Sequence, residues 1–409
     1  MNRLFLSTQA RFSTITHRIS IRTVERLATA LGTVFAMLLT LALATESAEA
    51  QGFPDNGQAT LATVILDHAA NPHGTADDAQ TITTFDVPNA KGTTPQGINL
   101  SGRIAGYYTD STGGAHGFLR KHNGKITTFD GPPSSSRTFA YGINFFGEIV
   151  GTVQDLLTTN GFIRRRNGTI IEWNADGQSP VPARALTTPG QAGSNCVVDG
   201  AGALAINALG ETTGSLGNGC TTGYLRQGDG TLIRFQVTGQ LETVAPQAIN
   251  LLGQITGWYQ SNSTWDGFLR QPDGTILTFH VPNSTSVIPQ GINFFGEIAG
   301  YYRDSSDSPV LHGFLRHRDG TFLTFDPVGS INTQVTAIND KGEITGSYAT
   351  ADGIYHGFVR NQQGVIESFD AVGSGNPGTF PKAINDLGQI TGYYQDASFV
   401  LHGFVRGER

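Results

Sequence analysis

From Gln96 onward one compound word recurs: Ala or Gly, then "IN", two variable residues, Gly, a segment like "IAGYY", a polar loop, "HGFLR", a turn, and a segment ending "TFD". The asparagine of "IN" falls at Asn99, Asn144, Asn207, Asn250, Asn293, Asn339 and Asn385, so the copies are 45, 63, 43, 43, 46 and 46 residues apart. A period of this size marks a repeat architecture, in which each copy is one supersecondary unit that buries its apolar face only against its neighbours. Each period holds four short apolar segments separated by turn residues, which predicts four strands per copy.

Four-stranded copies stack either as an open array or as a closed ring, and the ends of the repeated region discriminate between them. The seventh copy stops at "HGFVRGER", after its third segment, while a spare fourth segment, "TITTFD" at Thr81 to Asp86, precedes the first copy. Supplying the missing strand from the other end of the chain closes a ring and removes the exposed edges of an open stack. The expected fold is therefore all-β, a seven-bladed β-propeller of four-stranded blades over 81–409, its last blade completed by the N-terminal strand.

The recurring words resemble the bacterial probable extracellular repeat of the HAF family, named for a His-Ala-Phe tripeptide. Here the tripeptide is His-Gly-Phe, at His116, His312, His356 and His402. The resemblance covers roughly Thr81 to Arg409. It implies export and brings no catalytic residue with it.

The turn in "DGFLRQPDGTILTFH" sets the strand register. Pro272 cannot take the positive φ of a type I′ turn, so a type I turn closed by Gly274 is expected, with Gln271 opposite Thr275. Counting outward places Asp266 opposite His280, and the same register places His116 opposite Asp130, His312 opposite Asp326, His356 opposite Asp370, Asn160 opposite Asn174, Thr222 opposite Gln236 and, across the ring closure, His402 opposite Asp86. Every pair is polar and complementary, and one is inverted. Exchanging both partners keeps a hydrogen bond that a single change would break, so these residues read as structural staples rather than as a repeated acid–base site.

Two other residue types recur. The seven asparagines occupy position i of a turn, where the side chain bonds its own turn's backbone. Arg120, Arg164, Arg226, Arg270, Arg316, Arg360 and Arg406 each follow the third strand's aromatic by two residues, and are expected to donate to a neighbouring blade's turn carbonyls.

The first fifty residues have a different composition. Arg3, Arg11, Arg18, Arg22 and Arg26 precede the apolar run Leu27 to Ala44, and Ala48 and Ala50 form a small-x-small site. This reads as an export signal over 1–50 cleaved before Gln51, followed by a linker or loosely held arm over 51–80; a retained anchor is the competing reading. Cleavage leaves 21 basic and 30 acidic side chains, a net charge of −9, and no membrane span. Such a surface repels phosphate backbones, which excludes nucleic acid as a partner. In an oxidising compartment Cys196 and Cys220 are expected to pair, and two cysteines without clustered histidines do not make a zinc site.

Variable loops are where such a scaffold usually carries its site. The largest insertion, near Ala175 to Gly202, includes Cys196. Four loops place an aspartate after the second strand, at Asp110, Asp155, Asp304 and Asp396, where each serves either as a loop ligand, with Ca²⁺ as the one cation such carboxylates suit, or as the cap of an Asx turn. Aromatics nearby, Trp258 and Trp265 above all, can stack on sugars or peptides. Turns containing Phe145, Phe146, Phe294 and Phe295 offer a second surface. No nucleophile elbow or phosphate loop is present, and no cofactor is predicted. The leading expectation is an exported, periplasmic or extracellular, non-catalytic propeller that binds a glycan or protein. The alternatives are a propeller enzyme acting on carbohydrate or a lactone, and a purely structural surface repeat.

Overall fold

Alternating apolar residues fold every repeat into an antiparallel meander, with a glycine in the turn after the first strand and, in the first six repeats, another in the turn after the third. In the first repeat the strands are Gly92–Ile98, Ile104–Thr109, Ala115–Arg120 and Ile126–Phe129. The reversals close as three-residue loops: Asn99 N–H donates to the Arg103 carbonyl at 3.0 Å, with Gly102 at φ 67°. In the fourth repeat Gln271 N–H donates to the Thr275 carbonyl at 2.7 Å, Gly274 takes φ 92°, and Gly267 faces Phe279.

The computed structural model describes residues 81–407 except 133–136, 156–158, 175–196, 219–221, 239–242, 262–263, 306–309 and 376–377. The export signal, the arm over 51–80, Cys196, Cys220 and most of the insertion after Ala175 lie outside the described residues. Asp77–Arg409 forms one compact unit. Its described regular structure is all β: no helix occurs among the described residues, and so none long and apolar enough to cross a membrane.

Each of the first six repeats contributes a four-stranded antiparallel sheet in sequence order, and the seventh contributes three strands, Thr379–Ile384, Ile390–Gln395 and Leu401–Arg406. Single parallel bridges link the third strand of one repeat to the first strand of the next, as at Trp265↔Ser286 and Tyr355↔Gly378. The same bridge, Gly92↔Leu401, joins the seventh repeat to the first. Ile82–Phe85 completes the seventh sheet, with Ile82 opposite Arg406 and Phe85 opposite Gly403. The first strands of consecutive repeats touch one another, and Thr379–Ile384 touches Gly92–Ile98, so the sheets converge on their first strands.

The core lies between sheets rather than within one. Phe118, Phe162, Tyr224, Phe268, Phe314, Phe358 and Phe404 hold the same repeat position and are all fully buried. Each packs in a cluster shared by two neighbouring repeats; Phe118 sits with Val87, Ile98, Ile104 and Val405, which draws on the first and last. Truncating one such ring to alanine costs about 3–5 kcal/mol, since a void remains between stiff sheets.

The aromatic ending each fourth strand explains two recurring words. It covers the glycine of "HGF": a Cβ at Gly117 would lie 2.5 Å from the Phe129 ring, at Gly267 2.2 Å from Phe279 and at Gly403 2.8 Å from Phe85. Alanine in the middle of the tripeptide does not fit there. The next repeat's arginine stacks on the same ring, from 4.6 Å for Arg226 over Trp173 to 5.2 Å for Arg270 over Phe235. The expected bond to a neighbouring repeat's turn is replaced by this stack: Arg226, Arg270, Arg316 and Arg360 donate instead to the carbonyl of the following residue in their own turn. A planar guanidinium gains cation–π attraction there while its edge still reaches a carbonyl.

Candidate ligand-binding site

The staple residues lie as follows. His116 Nδ1 bonds Asp130 at 2.7 Å, His312 Nδ1 bonds Asp326 at 2.6 Å, His356 Nδ1 bonds Asp370 at 3.0 Å and His402 Nδ1 bonds Asp86 at 2.9 Å. In the inverted copy His280 Nδ1 meets Asp266 at 2.5 Å, and in the third repeat the Gln236 amide donates to Thr222 at 3.0 Å. Asn160 and Asn174 continue the register of Gly161 and Trp173.

The second imidazole nitrogen is engaged too. His116 Nε2 reaches Asp110 at 3.2 Å, His402 Nε2 reaches Asp396 at 3.4 Å, His312 Nε2 lies 3.7 Å from Asp304, and His356 and His280 turn theirs to Thr350 and Ser284. Most of these rings also lie against a tyrosine, Tyr108, Tyr302, Tyr348 or Tyr394. Burial pulls His116 down, but the hydrogen bonds and charges of Asp130 and Asp110 outweigh it and the pKa ends above the usual imidazole value; His402 behaves alike with Asp86 and Asp396. An imidazole held at both nitrogens is a poor proton shuttle.

The loop aspartates spend their other oxygen on their own turns. Asp110 Oδ1 accepts from Thr112 N–H, Thr112 Oγ1 and Gly114 N–H, each at 2.8 Å, and Asp396 Oδ1 accepts from Ser398 and Val400 N–H at 2.8 and 2.9 Å. Asp304 accepts from Val310 N–H at 2.9 Å. The Thr112 hydroxyl bond and the Gly114 amide hold Asp110 far below the usual carboxylate range. Asp155 is exposed at the end of its strand, where its charge helps to raise Glu172. Among the described residues no three His, Cys, Asp or Glu side chains form a group able to hold a metal ion. Trp258 and Trp265 stack on each other at 5.2 Å, with Trp265 41% exposed.

A different set of residues is partly exposed along the first strands. Each first strand carries a bulge at one repeat position, occupied by Gln96, Tyr141, Leu204, Gln247, Gln290, Thr336 and Lys382. The extra residue is left out of the ladder, which re-aims its side chain. All seven are partly exposed, although the strands around them are largely buried. Because the sheets converge on their first strands, these residues surround the region of convergence.

Where the seventh, first and second repeats meet, partly exposed rings make an arc. Tyr393 stacks on Phe380 at 5.2 Å, and Tyr355 of the neighbouring sixth repeat lies tilted against Phe380 at 5.2 Å. Tyr107 meets Phe139 edge-on at 5.0 Å and Tyr141 at 6.5 Å. Burial raises the Tyr107 and Tyr393 phenols, and the Tyr107 charge adds to the rise of Tyr393. Lys382 Nζ lies 5.3 Å from the centre of the Tyr393 ring, makes no ion pair among the described residues, and is lowered by burial alone. The sequence points to aromatics near the loops, Trp258 and Trp265 foremost, and gives no sign of Lys382, whose placement depends on a bulge that only strand pairing reveals.

The C-terminal ends of the first strands carry a second feature. Each "IN" asparagine caps its own turn through Oδ1, as Asn385 does for Leu387 and Gln389 N–H at 3.0 Å. Each also donates Nδ2 to the carbonyl of the next repeat's asparagine: Asn99 to Asn144, Asn144 to Asn207, Asn207 to Asn250, Asn250 to Asn293, Asn293 to Asn339, Asn339 to Asn385, and Asn385 to Asn99. Beside this chain Phe294 N–H donates to Asp340 and Asp340 N–H to Asp386. Burial and the Asp386 charge push Asp340 up to about 7, and burial raises Asp386 as well.

No family model and no curated protein sequence matches the chain. Among solved structures it is similar to a streptogramin B lyase, with TM-score 0.50 and 14% identity over 79% of this chain and 97% of that one. It is similar to the same degree to virginiamycin B lyase from Staphylococcus aureus, with TM-score 0.50 and 15% identity over 80% and 99% of the two chains. At this identity the likeness shows the fold, an all-β arrangement of the propeller type.

Proposed function

We propose that the chain is an exported, non-catalytic, seven-bladed β-propeller, closed by Ile82–Phe85, that binds an extracellular or envelope ligand on the aromatic arc of Tyr107, Phe139, Tyr141, Phe380 and Tyr393. Closure is supported by the strand pairing across the termini and by the Asn385 to Asn99 bond. The observation that carries the binding role is the arc itself: partly exposed rings beside a lysine without a counter-charge. The arginine, histidine and loop-aspartate side chains are largely spent on one another or on their own turns, so the site moves from the loop aspartates to the bulged strands.

The test is a glycan and peptide array probed with the full chain, followed by titration of the hits against Tyr393→Ala and Tyr107→Ala. Loss of about tenfold in affinity with unchanged melting supports the reading. Hits that ignore both substitutions, or no hits at all, oppose it. Export is tested by sequencing the N-terminus of material recovered outside the cytoplasm, which should begin at Gln51.

A second reading, an enzyme of lyase type, is favoured by the likeness to streptogramin B lyase over most of both chains. It predicts consumption of quinupristin, the molecule present with a catalytically inactive virginiamycin B lyase in a similar structure. The non-catalytic reading predicts that quinupristin incubated with the chain is recovered intact.

A further inference from the structure

Lys382 is out of keeping with its surroundings. Its side chain is only partly exposed, no carboxylate among the described residues neutralises it, and its one close partner there is the face of Tyr393. Burying a cation without a counter-ion is costly, and a ring face returns only part of that cost. An apolar residue serves the bulge equally well, since Leu204 stands at the corresponding position of the third repeat.

The neighbours at the same repeat position indicate what the cation faces. Lys382 lies between Thr336 of the sixth repeat and Gln96 of the first. The side-chain amides of Gln96, Gln247 and Gln290 have no hydrogen-bond partner among the described residues. Each amide offers two donors and an acceptor with two lone pairs, the complement of a row of hydroxyl groups. The rings of Tyr393 and Tyr107 add faces and edges on which the C–H side of a sugar ring packs. A lysine supplies a compact point charge rather than the fork that suits bidentate phosphate contacts. The chain's formal charge of −7 disfavours a long polyanion, so a single anionic group held locally is the better fit.

We infer that the ligand is an acidic saccharide, its sugar ring packed against Tyr393 and Tyr107 and its carboxylate paired with the Lys382 ammonium. This rests on the binding role proposed above and adds the chemical class of the ligand. In the complex the carboxylate supplies the missing counter-charge, and the unpartnered glutamine amides bind hydroxyls further along the chain of sugars.

The experiment titrates the full chain with a panel of short uronate oligosaccharides, their methyl esters and tetraglutamate, against wild type, Lys382→Met and Lys382→Arg. The expected result is that at least one uronate binds wild type about tenfold more tightly than its ester. Lys382→Met should erase that preference by weakening uronate binding more than ester binding, and Lys382→Arg should keep most of it. Acid and ester bound alike, or a preference that survives Lys382→Met, overturns the inference and leaves the aromatic arc standing. Tetraglutamate bound as tightly as the uronates, with the same dependence on Lys382, also overturns it, in favour of an acidic peptide. Failure of every saccharide and peptide, ester included, overturns the inference together with the binding role beneath it.

Discussion

The side-chain amide of Asn385 donates to the backbone carbonyl of Asn99 at 2.9 Å, across 286 positions of sequence. It is one of seven equivalent bonds in which the oxygen of each asparagine caps its own turn and the nitrogen reaches the next repeat. Aspartate would cap the turn as well but has no donor to offer. Asn385→Asp should therefore destabilise the protein by about 1–3 kcal/mol, the cost of a lost buried bond plus a carboxylate facing a carbonyl, measurable by urea unfolding. An unchanged midpoint would mean that the cross-repeat bond contributes nothing.

Gly313 lies under the Phe325 ring, where an added Cβ would come within 2.8 Å of it. Gly313→Ala should cost about 1–3 kcal/mol through forced displacement of that ring. Combining it with Phe325→Leu should cost less than the sum of the single changes, because the smaller side chain vacates the space. Strict additivity in the double-mutant cycle would contradict the steric account.

His356 and Asp370 form a staple with no recorded acid at the second imidazole nitrogen, which reaches Thr350 instead. The fourth repeat uses the same pair in reverse, as Asp266 and His280. Exchanging both residues, His356→Asp with Asp370→His, should cost less in melting temperature than either change alone. A double variant as unstable as the sum of the singles would show that orientation matters more than the bond.

Acid and base should act on different groups. Asp340 has its folded pKa raised from 3.8 to about 7, so the folded state holds its proton more tightly than the unfolded chain. Its contribution to stability is complete below pH 3.8 and is lost as pH rises toward 7. Asp340→Asn keeps an acceptor for Phe294 N–H and removes the charge, so at pH 8 it should raise stability by about 1–3 kcal/mol and at pH 4 have little effect. His116 and His402, also raised, work in the same direction: their contribution is full below 6.5 and falls as pH rises through their folded values. Asp110 and Asp396, which are lowered, oppose them only in acid, losing their contribution as pH falls below 3.8. Equal pH profiles for wild type and Asp340→Asn would contradict this assignment.

What the sequence makes legible follows from how local each constraint is. Pro272 fixes a loop of three residues, and from it the facing of Asp266 and His280 follows by counting, since both strands are continuous with the turn. The spare segment at Thr81 to Asp86 announces its partner because the seventh copy lacks a fourth strand. The donor half of each asparagine is not legible in this way, since its partner lies a whole repeat away; the clue was that all seven copies use Asn where Asp would serve the turn. Lys382 and Gln96 were passed over because simple alternation gives no sign of an extra residue in the strand. Asp110, Asp304 and Asp396 are open in the sequence to two readings, loop ligand or Asx cap; the turn bonds are local, whereas the imidazoles beside them come from the third strand and are not legible from the loop alone.

The proposed closure of the ring rests on the pairing of Ile82–Phe85 with Leu401–Arg406, and it can be tested by a covalent bond. Thr83 faces Val405 in the antiparallel register of the terminal strands, and directly opposed residues there fall within disulfide reach. In a chain carrying Cys196→Ser and Cys220→Ser, the pair Thr83→Cys and Val405→Cys should form an intramolecular disulfide in the monomer and raise the melting temperature by several degrees, reversibly on reduction. A monomer whose two thiols stay free under oxidising conditions, or that crosslinks only between chains, would contradict the closed ring.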